Sequence, residues 1–195
     1  KTIEVFTTRI DTIFSGTYVI LAPEHSYVDE LRPSITNWED VEEYRILTKK
    51  VSEIDRTSME REVGGVPLGG IEVINPATGE KMPVWIADFV FAHYGTGAVF
   101  ADAHDKRDFV LAKKFNIPLK VSLKPEDTEL FEKVKKLEIC FDGEGTLFNS
   151  GEFDGLTSVE ARPKIIEWLK ETGSAESKVT YKLRDWVFSR QHYWG

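Results

Sequence analysis

Between Tyr94 and Asp108 the chain reads Tyr-Gly-Thr-Gly-Ala-Val-Phe-Ala-Asp-Ala-His-Asp-Lys-Arg-Asp, which sets two glycines, a histidine and three carboxylates across one strand-to-helix junction. Phe109, Leu111, Ala112 and Phe115 continue it as an apolar helical run that Asn116 and Pro118 should stop, so His104 to Asp108 surround a helix N-terminus. The first N–H groups of a helix lack intrahelical partners and the helix dipole adds positive charge there, which favours the ionised form of an Asp in that turn. Such a carboxylate can anchor a substrate ammonium, or it can cap the helix, a role worth about 1 kcal/mol. Asp105 is the better cap, which leaves Asp108, one turn further on the same side, to face a ligand. Gly95 and Gly97 permit positive φ and close backbone approach. The Gly-Lys-Ser/Thr of a P-loop and the third glycine of a dinucleotide motif are both missing.

A second polar cluster, Thr7-Thr8-Arg9-Ile10-Asp11-Thr12, follows Ile3-Glu4-Val5-Phe6, which reads as a strand, and precedes the apolar strand Tyr18-Val19-Ile20-Leu21. Thr7, Thr8, Arg9 and Thr12 at a strand end read either as a polar pocket wall or as ordinary strand residues, since Thr is at home on strands. Other chemistries find little support. Cys140 has no histidine near it in sequence and no Gly-x-Ser-x-Gly elbow occurs. The four histidines are scattered without the spacing of metal ligands, so no metal site is expected.

The elements that must position these clusters read as a mixed fold. A helix is expected from about Trp38 to Arg56, with Val41, Tyr44, Leu47, Val51 and Ile54 on one stripe and Asn37 as N-cap. From Val66 to Ala101 the pattern is β: Ile71 to Ile74, a turn at Asn75-Pro76-Ala77-Thr78-Gly79, then Met82 to Ile86 and Ala98 to Phe100. A short helix is expected over Glu126 to Lys136 and a turn at Gly143-Glu144-Gly145. A further helix follows the Thr157-Ser158-Val159-Glu160 capping box and uses Ile165, Ile166 and Leu169 before Gly173, with Pro163 as a guest that removes one intrahelical hydrogen bond.

With 195 residues the chain can bury one core, and one domain is expected. The single cysteine excludes an internal disulfide and suits a reducing, cytoplasmic compartment. Neither a signal peptide nor a bilayer-spanning apolar run is seen, so no membrane association is expected. A net charge of -8 argues against a broad nucleic-acid footprint but leaves room for capture of a single-stranded end, with Arg9 and Arg107 as local basic candidates.

Taken in order, Thr7-Thr8-Arg9-Ile10-Asp11-Thr12, Leu21-Ala22-Pro23-Glu24-His25 and Gly95-Thr96-Gly97-Ala98 leading to His104-Asp105-Lys106-Arg107-Asp108 resemble the editing insertion of bacterial-type leucyl-tRNA synthetases. Leu183 to Gly195 is similar to the segment that returns from that insertion to the synthetic core, so residues 1–195 read as a single editing domain with 183–195 as the returning segment. The chain departs from the family pattern at Ile10, Ser15 and Phe100, and between Gly97 and His104 it is one residue shorter, with Asp102 in place of a Val-Pro pair.

The resemblance implies an α+β fold with a β-barrel-like core and peripheral helices. It also implies hydrolysis of mischarged isoleucyl-, valyl-, methionyl- or norvalyl-tRNA of leucine specificity, because one methylene discriminates by only about 1–3 kcal/mol and a second sieve is needed. Asp108 would hold the α-ammonium and Thr12 would obstruct leucine. Thr7, Thr8 and Arg9 would line the site around the terminal adenosine and the attacking water, with Tyr94, Phe100, His104 and Asp105 as further substrate contacts. The expected partners are the acceptor end of the tRNA and the synthetic core of the same chain. No cofactor is expected in this domain. ATP and Mg2+ belong to the parent synthetase, whose activation motifs are absent from these residues. The competing readings are a catalytically inactive insertion that only positions the tRNA end, and an editing domain of a valyl- or isoleucyl-type synthetase.

Overall fold

The computed structural model describes residues 2–52, 55–56 and 62–176, so the returning segment 183–195 and Ile54 lie outside the described residues. Four strands form the main sheet: β1 (Tyr18–Leu21), β2 (Gly65–Ile74), β3 (Lys81–Ala87) and β4 (Ala98–Ala101). Their order is β2-β3-β1-β4, with β1 parallel to β3 and the other two pairings antiparallel. The helices are α1 (Ser26–Glu30), α2 (Trp38–Lys49), α3 (Lys106–Phe115), α4 (Thr128–Lys135) and α5 (Ser158–Glu171). A second, two-stranded sheet pairs β5 (Leu123–Lys124) with β6 (Thr146–Leu147).

The period-2 alternation of the strands divides the interior. Tyr18, Ile20, Trp85 and Ala87 point to one face, where Leu111 and Ala112 of α3 cover them. Val19, Leu21, Val84 and Ile86 point to the other, against Val28 of α1 and Val41 of α2. Central strands buried on both faces read as continuous apolar runs, and all of β1 is buried. A third core gathers Ile13, Leu123, Leu147, Phe153, Ile165 and Leu169 beneath α5 and the small sheet. The expected α+β class is therefore present, but the sheets do not close into a barrel among the described residues: β2 and β4 remain the two edges of the main sheet. With β4 only four residues long, helices rather than strand closure cover the faces.

Local expectations fare unevenly. The turn at 75–79 forms, with Gly79 at φ +71°. The Thr157 capping box is present with both reciprocal bonds, and α5 runs on through Pro163. In contrast, α2 ends at Lys49, and Leu47 of the expected apolar stripe is 53% exposed while Thr48 is buried. Asn37 does not cap α2. Its amide instead donates to Pro67 O at 3.0 Å and its carbonyl accepts from Gly69 N at 2.8 Å, clamping the irregularity of β2 between Pro67 and Glu72. The residues from Ile3 to Phe6 form no ladder, although Phe6 N donates to Ala98 O at 3.1 Å and so runs beside β4.

Candidate active site

The segment after β4 folds as its residue types dictate. Asp102 Oδ1 accepts from His104 N at 2.6 Å, which turns the chain, and Asp105 then caps α3 by accepting from Arg107 N at 2.8 Å and Asp108 N at 3.2 Å. With Asp105 used as the cap, Asp108 sits in the first turn of α3 and points inward, 6% exposed. Tyr18 of β1 donates its phenol proton to Asp108 O at 2.7 Å, so the central strand fixes the start of the helix.

Asp108 is a carboxylate without an internal counterion: neither it nor Asp102 makes an ion pair with any Lys or Arg among the described residues. Burial, followed by the nearby charges of Asp105 and Asp102, pushes the Asp108 carboxyl well above the ordinary carboxylate range, against the weaker pull of the Asp102 N–H and the Arg107 charge. Burial likewise raises Asp102, against the weaker pull of the His104 ring, the Thr12 hydroxyl and the His104 N–H.

Thr12 reaches this place on a 3-10 turn, Ile10–Ser15. Its hydroxyl donates to Arg9 O at 2.9 Å and its side chain is buried. The turn is held from three sides. Asn75 Nδ2 donates to Ile13 O at 2.8 Å, and Ser15 Oγ donates to Thr12 O at 2.8 Å and meets Ser122 Oγ at 2.8 Å. Asp11, fully buried, accepts from Arg9 Nε at 3.2 Å and from Arg162 Nε of α5 at 2.9 Å. Burial alone would raise the Asp11 carboxyl, but the hydrogen bonds and charges of Arg9 and Arg162 outweigh it and hold the group below the ordinary value.

The remaining sequence candidates fall into two groups. Thr7, Arg9 and His104 are tied to the framework. Thr7 Oγ1 accepts from Arg9 N at 2.9 Å, and Arg9 also donates to Asp142 O at 2.9 Å and Gly143 O at 3.1 Å. His104 bonds Phe141 O through Nδ1 at 2.8 Å, while Nε2 lies 3.1 Å from Ser122 N and 3.3 Å from Leu123 N. Two N–H donors at Nε2 require it to be the unprotonated nitrogen, so Nδ1 carries the proton and donates. Burial keeps this imidazole below its ordinary value, hence neutral. His104 thus holds the 141–143 loop that in turn holds Arg9. Thr8 and Tyr94 are outward-facing: Thr8 is exposed, and Tyr94, 56% exposed, meets Phe6 edge-on at 5.8 Å. Gly95 and Gly97 take φ +63° and +71°, and a Cβ on Gly95 would lie 2.6 Å from Phe6, so the loop that presents Tyr94 requires glycine there. Phe100 packs partly buried against the third core.

Thr12, Asp102, His104 and Asp108 are therefore brought into one buried neighbourhood, with Asp105 at its rim. Asp11, Arg162 and the 141–143 carbonyls escaped the sequence reading because their partners are distant along the chain. Asp102 had a signal, a carboxylate inside an otherwise apolar run. Cys140 is half-buried and its thiol is pushed up to about 12, chiefly by burial, which leaves no reactive thiolate. Among the described residues no group of three or more His, Cys, Asp or Glu is arranged to hold a metal, and no helix is long and apolar enough to cross a membrane.

Comparison with known proteins adds an independent line. Residues 1–170 match the family model described as leucyl-tRNA synthetase, editing domain. The chain is 49% identical to the leucine–tRNA ligase subunit alpha of Aquifex aeolicus over 199 residues, covering 99% of this chain and 30% of that protein. It is 45% identical to the leucine–tRNA ligase of Alkaliphilus oremlandii, covering 100% of this chain and 24% of that one. It thus spans less than a third of the length of these relatives. Among solved structures, the ternary complex of an Agrobacterium radiobacter K84 LeuRS with tRNA and LeuAMS aligns with TM-score 0.65 and 30% identity over 88% of this chain and 17% of that one.

Proposed function

The chain belongs to the leucyl-tRNA synthetase editing-domain family, and from that premise we propose that it hydrolyses the ester between leucine-specific tRNA and a wrong amino acid. The observation that carries the reading is Asp108, a buried carboxylate with no cationic partner among the described residues, held rigidly in the first turn of α3. The α-ammonium of an aminoacyl ester supplies the charge that this carboxylate lacks, and a charge-assisted bond formed away from water is strong. Thr12, buried in the same neighbourhood, obstructs the leucine side chain, so that isoleucyl, valyl, methionyl or norvalyl esters are cleaved and the correct product survives.

Water is the nucleophile in this reading, and rate comes from orienting ester and water, with the neighbouring ribose hydroxyl as a candidate participant. Thr7, Thr8 and the outward part of Arg9 line the approach to the reacting centre. Tyr94 offers an exposed ring for the terminal base, Phe100 and His104 shape the wall, and Asp105 supports Asp108. The domain needs no cofactor of its own; ATP and Mg2+ serve amino-acid activation in the rest of the longer cytoplasmic enzyme, whose synthetic core and tRNA acceptor end are its partners.

The test is deacylation of isoleucyl- and leucyl-tRNA of leucine specificity by the chain and by Thr12→Ala. The chain should cleave the isoleucyl ester and spare the leucyl ester, and Thr12→Ala should cleave both. Cleavage of neither by the unaltered chain and by the full-length synthetase would favour a domain that only positions the tRNA end.

A further inference from the structure

Two arginines from opposite ends of the chain straddle the same two segments. Arg9 immediately precedes the 3-10 turn that carries Thr12, and Arg162 lies on α5. Both donate to Asp11, Arg9 from Nε at 3.2 Å and Nη2 at 3.1 Å, Arg162 from Nε at 2.9 Å. Both also hold the 142–144 loop, through different groups. Arg9 takes main-chain carbonyls, Asp142 O from Nη1 at 2.9 Å and Gly143 O from Nη2 at 3.1 Å, whereas Arg162 Nη2 takes the Glu144 carboxylate at 2.7 and 2.9 Å. A guanidinium has five N–H donors. In Arg9 the Nε proton and both Nη2 protons are used within this frame and Nη1 gives one of its two to Asp142 O, so one Nη1–H is left among the described residues, on a side chain that is 29% exposed.

That remaining donor depends on Arg162. Glu144 follows Gly143, on whose carbonyl Arg9 Nη2 rests, and it has no ion-pair partner besides Arg162 among the described residues. Arg162 Nη2 stands between two carboxylates, 2.7 Å from Glu144 Oε1 and 3.5 Å from Asp11 Oδ2, and Arg9 Nη2 is 3.1 Å from that same Asp11 oxygen. The other cation at this loop, Lys106, is paired with Asp142 at 2.7 Å. Without Arg162, Glu144 would therefore turn to the unused N–H of Arg9, because a bond between two charged groups is the strongest open to either. We propose that Arg162 is a positioning residue for RNA binding: by occupying Glu144 it keeps the fifth N–H of Arg9 for a phosphate oxygen of the RNA end that carries the ester. This rests on the function proposed above for the identity of the ligand.

The test is binding of uncharged leucine-specific tRNA to the chain by fluorescence anisotropy. Arg162→Gln should raise Kd about tenfold, the lower end for a hydrogen bond to a charged group, and adding Glu144→Gln should restore it. Lys164→Gln, the same change of charge at an exposed position on α5, should leave Kd near that of the unaltered chain. Equal weakening by Lys164→Gln would reduce the effect to net charge, and weakening by Arg162→Gln that Glu144→Gln did not restore would reduce it to the broken Asp11 pair; either result overturns the proposal, as would a chain that bound no RNA. A second measurement needs no variant: in 15N spectra of the guanidiniums, tRNA should shift Arg9 Nη1 and leave Nε and Nη2 in place, and an Nη1 signal unmoved at saturation would refute the contact. Deacylation of isoleucyl-tRNA separates the two readings. Loss and rescue of binding in a chain that cleaves no ester would support the role of Arg162 and sink the hydrolase alone, whereas cleavage with Kd unchanged across the series would do the reverse.

Discussion

Replacing Asp108 by Asn should make the domain more stable and less active, and the two effects share one cause. The Asp108 carboxyl is buried, is flanked by Asp102 and Asp105, and meets no Lys or Arg side chain in an ion pair among the described residues. Its folded-state value lies above its ordinary one, so its contribution to stability is full below the unfolded value of about 3.8 and is lost as pH rises through the raised folded value. An amide of the same shape has no such loss. With the Asp102 N–H as partial compensation, the expected gain for Asp108→Asn at pH 8 is about 1–2 kcal/mol, the scale of an incompletely satisfied buried polar group. For a chain of this length that corresponds to a rise in Tm of roughly 3–6 °C.

Calorimetry of both proteins from pH 3 to pH 8 reads the effect, which should be small near pH 3, where the carboxyl is protonated in the folded and unfolded chain alike, and grow as pH rises above about 3.8. Deacylation of isoleucyl-tRNA reads the other half. Loss of a charge-assisted bond to the ammonium, about 1.5–3 kcal/mol, lowers kcat/KM by roughly 10- to 100-fold. An Asp108→Asn protein that melts lower than the unaltered chain at pH 8, or that cleaves the ester as fast, would refute the view of Asp108 as an unpaired receptor for a cation.

Two further outcomes follow from the framework. Asp11→Ala should cost about 2–3 kcal/mol in urea unfolding at pH 7, below the ~3–5 kcal/mol of a fully buried broken pair because the side chains of Arg9 and Arg162 keep 29% and 25% exposure to water; since Asp11 is held below its ordinary value of 3.8, this stabilisation is present above that value and should vanish as pH falls through the lowered one, so a deficit that persisted in strong acid would speak against the ion pairs as its source. His104, kept neutral by burial, should resonate by 15N NMR as the Nδ1–H tautomer at pH 6.5, where a free histidine is half protonated, and the chain should lose stability as pH falls below 6.5 with a slope that His104→Gln removes; a fully protonated ring at pH 6.5 would contradict the assigned hydrogen bonds.

What the sequence made legible is what is local. The capping roles of Asp105 and Thr157, the turn at 75–79 and the three strands around it each follow from a few adjacent residues whose hydrogen bonds close within the same segment. Asn37 was misread for the same reason: its N-cap position was evident, but Pro67 and Gly69 offered a better match to an amide than the helix did. The stripe on α2 failed at Leu47 because burial there is set by Val41 and Thr48, an i, i+7 pair over which the sheet lies. Open strand edges in place of a barrel could not be read from alternation, which reports faces and not closure. Around the site, the sequence singled out Asp108 and Thr12 as candidates but gave no view of Arg162, whose pairing with Asp11 spans 151 positions.

The two halves of the site hang from different parts of the core. Asp108 is placed by α3, which packs on one face of the main sheet and is pinned by Tyr18. Thr12 is placed by a 3-10 turn that belongs to the third core, pinned by Asn75, Ser122 and the Arg9–Asp11–Arg162 pairing. In the proposed function, an anchor for the ammonium common to all amino acids and an obstruction that reads one side chain are different tasks, and separate supports would allow either to be altered without moving the other. The cost of that separation is that their spacing is not set by a shared element. Asp102, at the end of β4, comes nearest to one: its Oδ1 accepts from His104 N at 2.6 Å, and its N–H faces the Asp108 carboxyl.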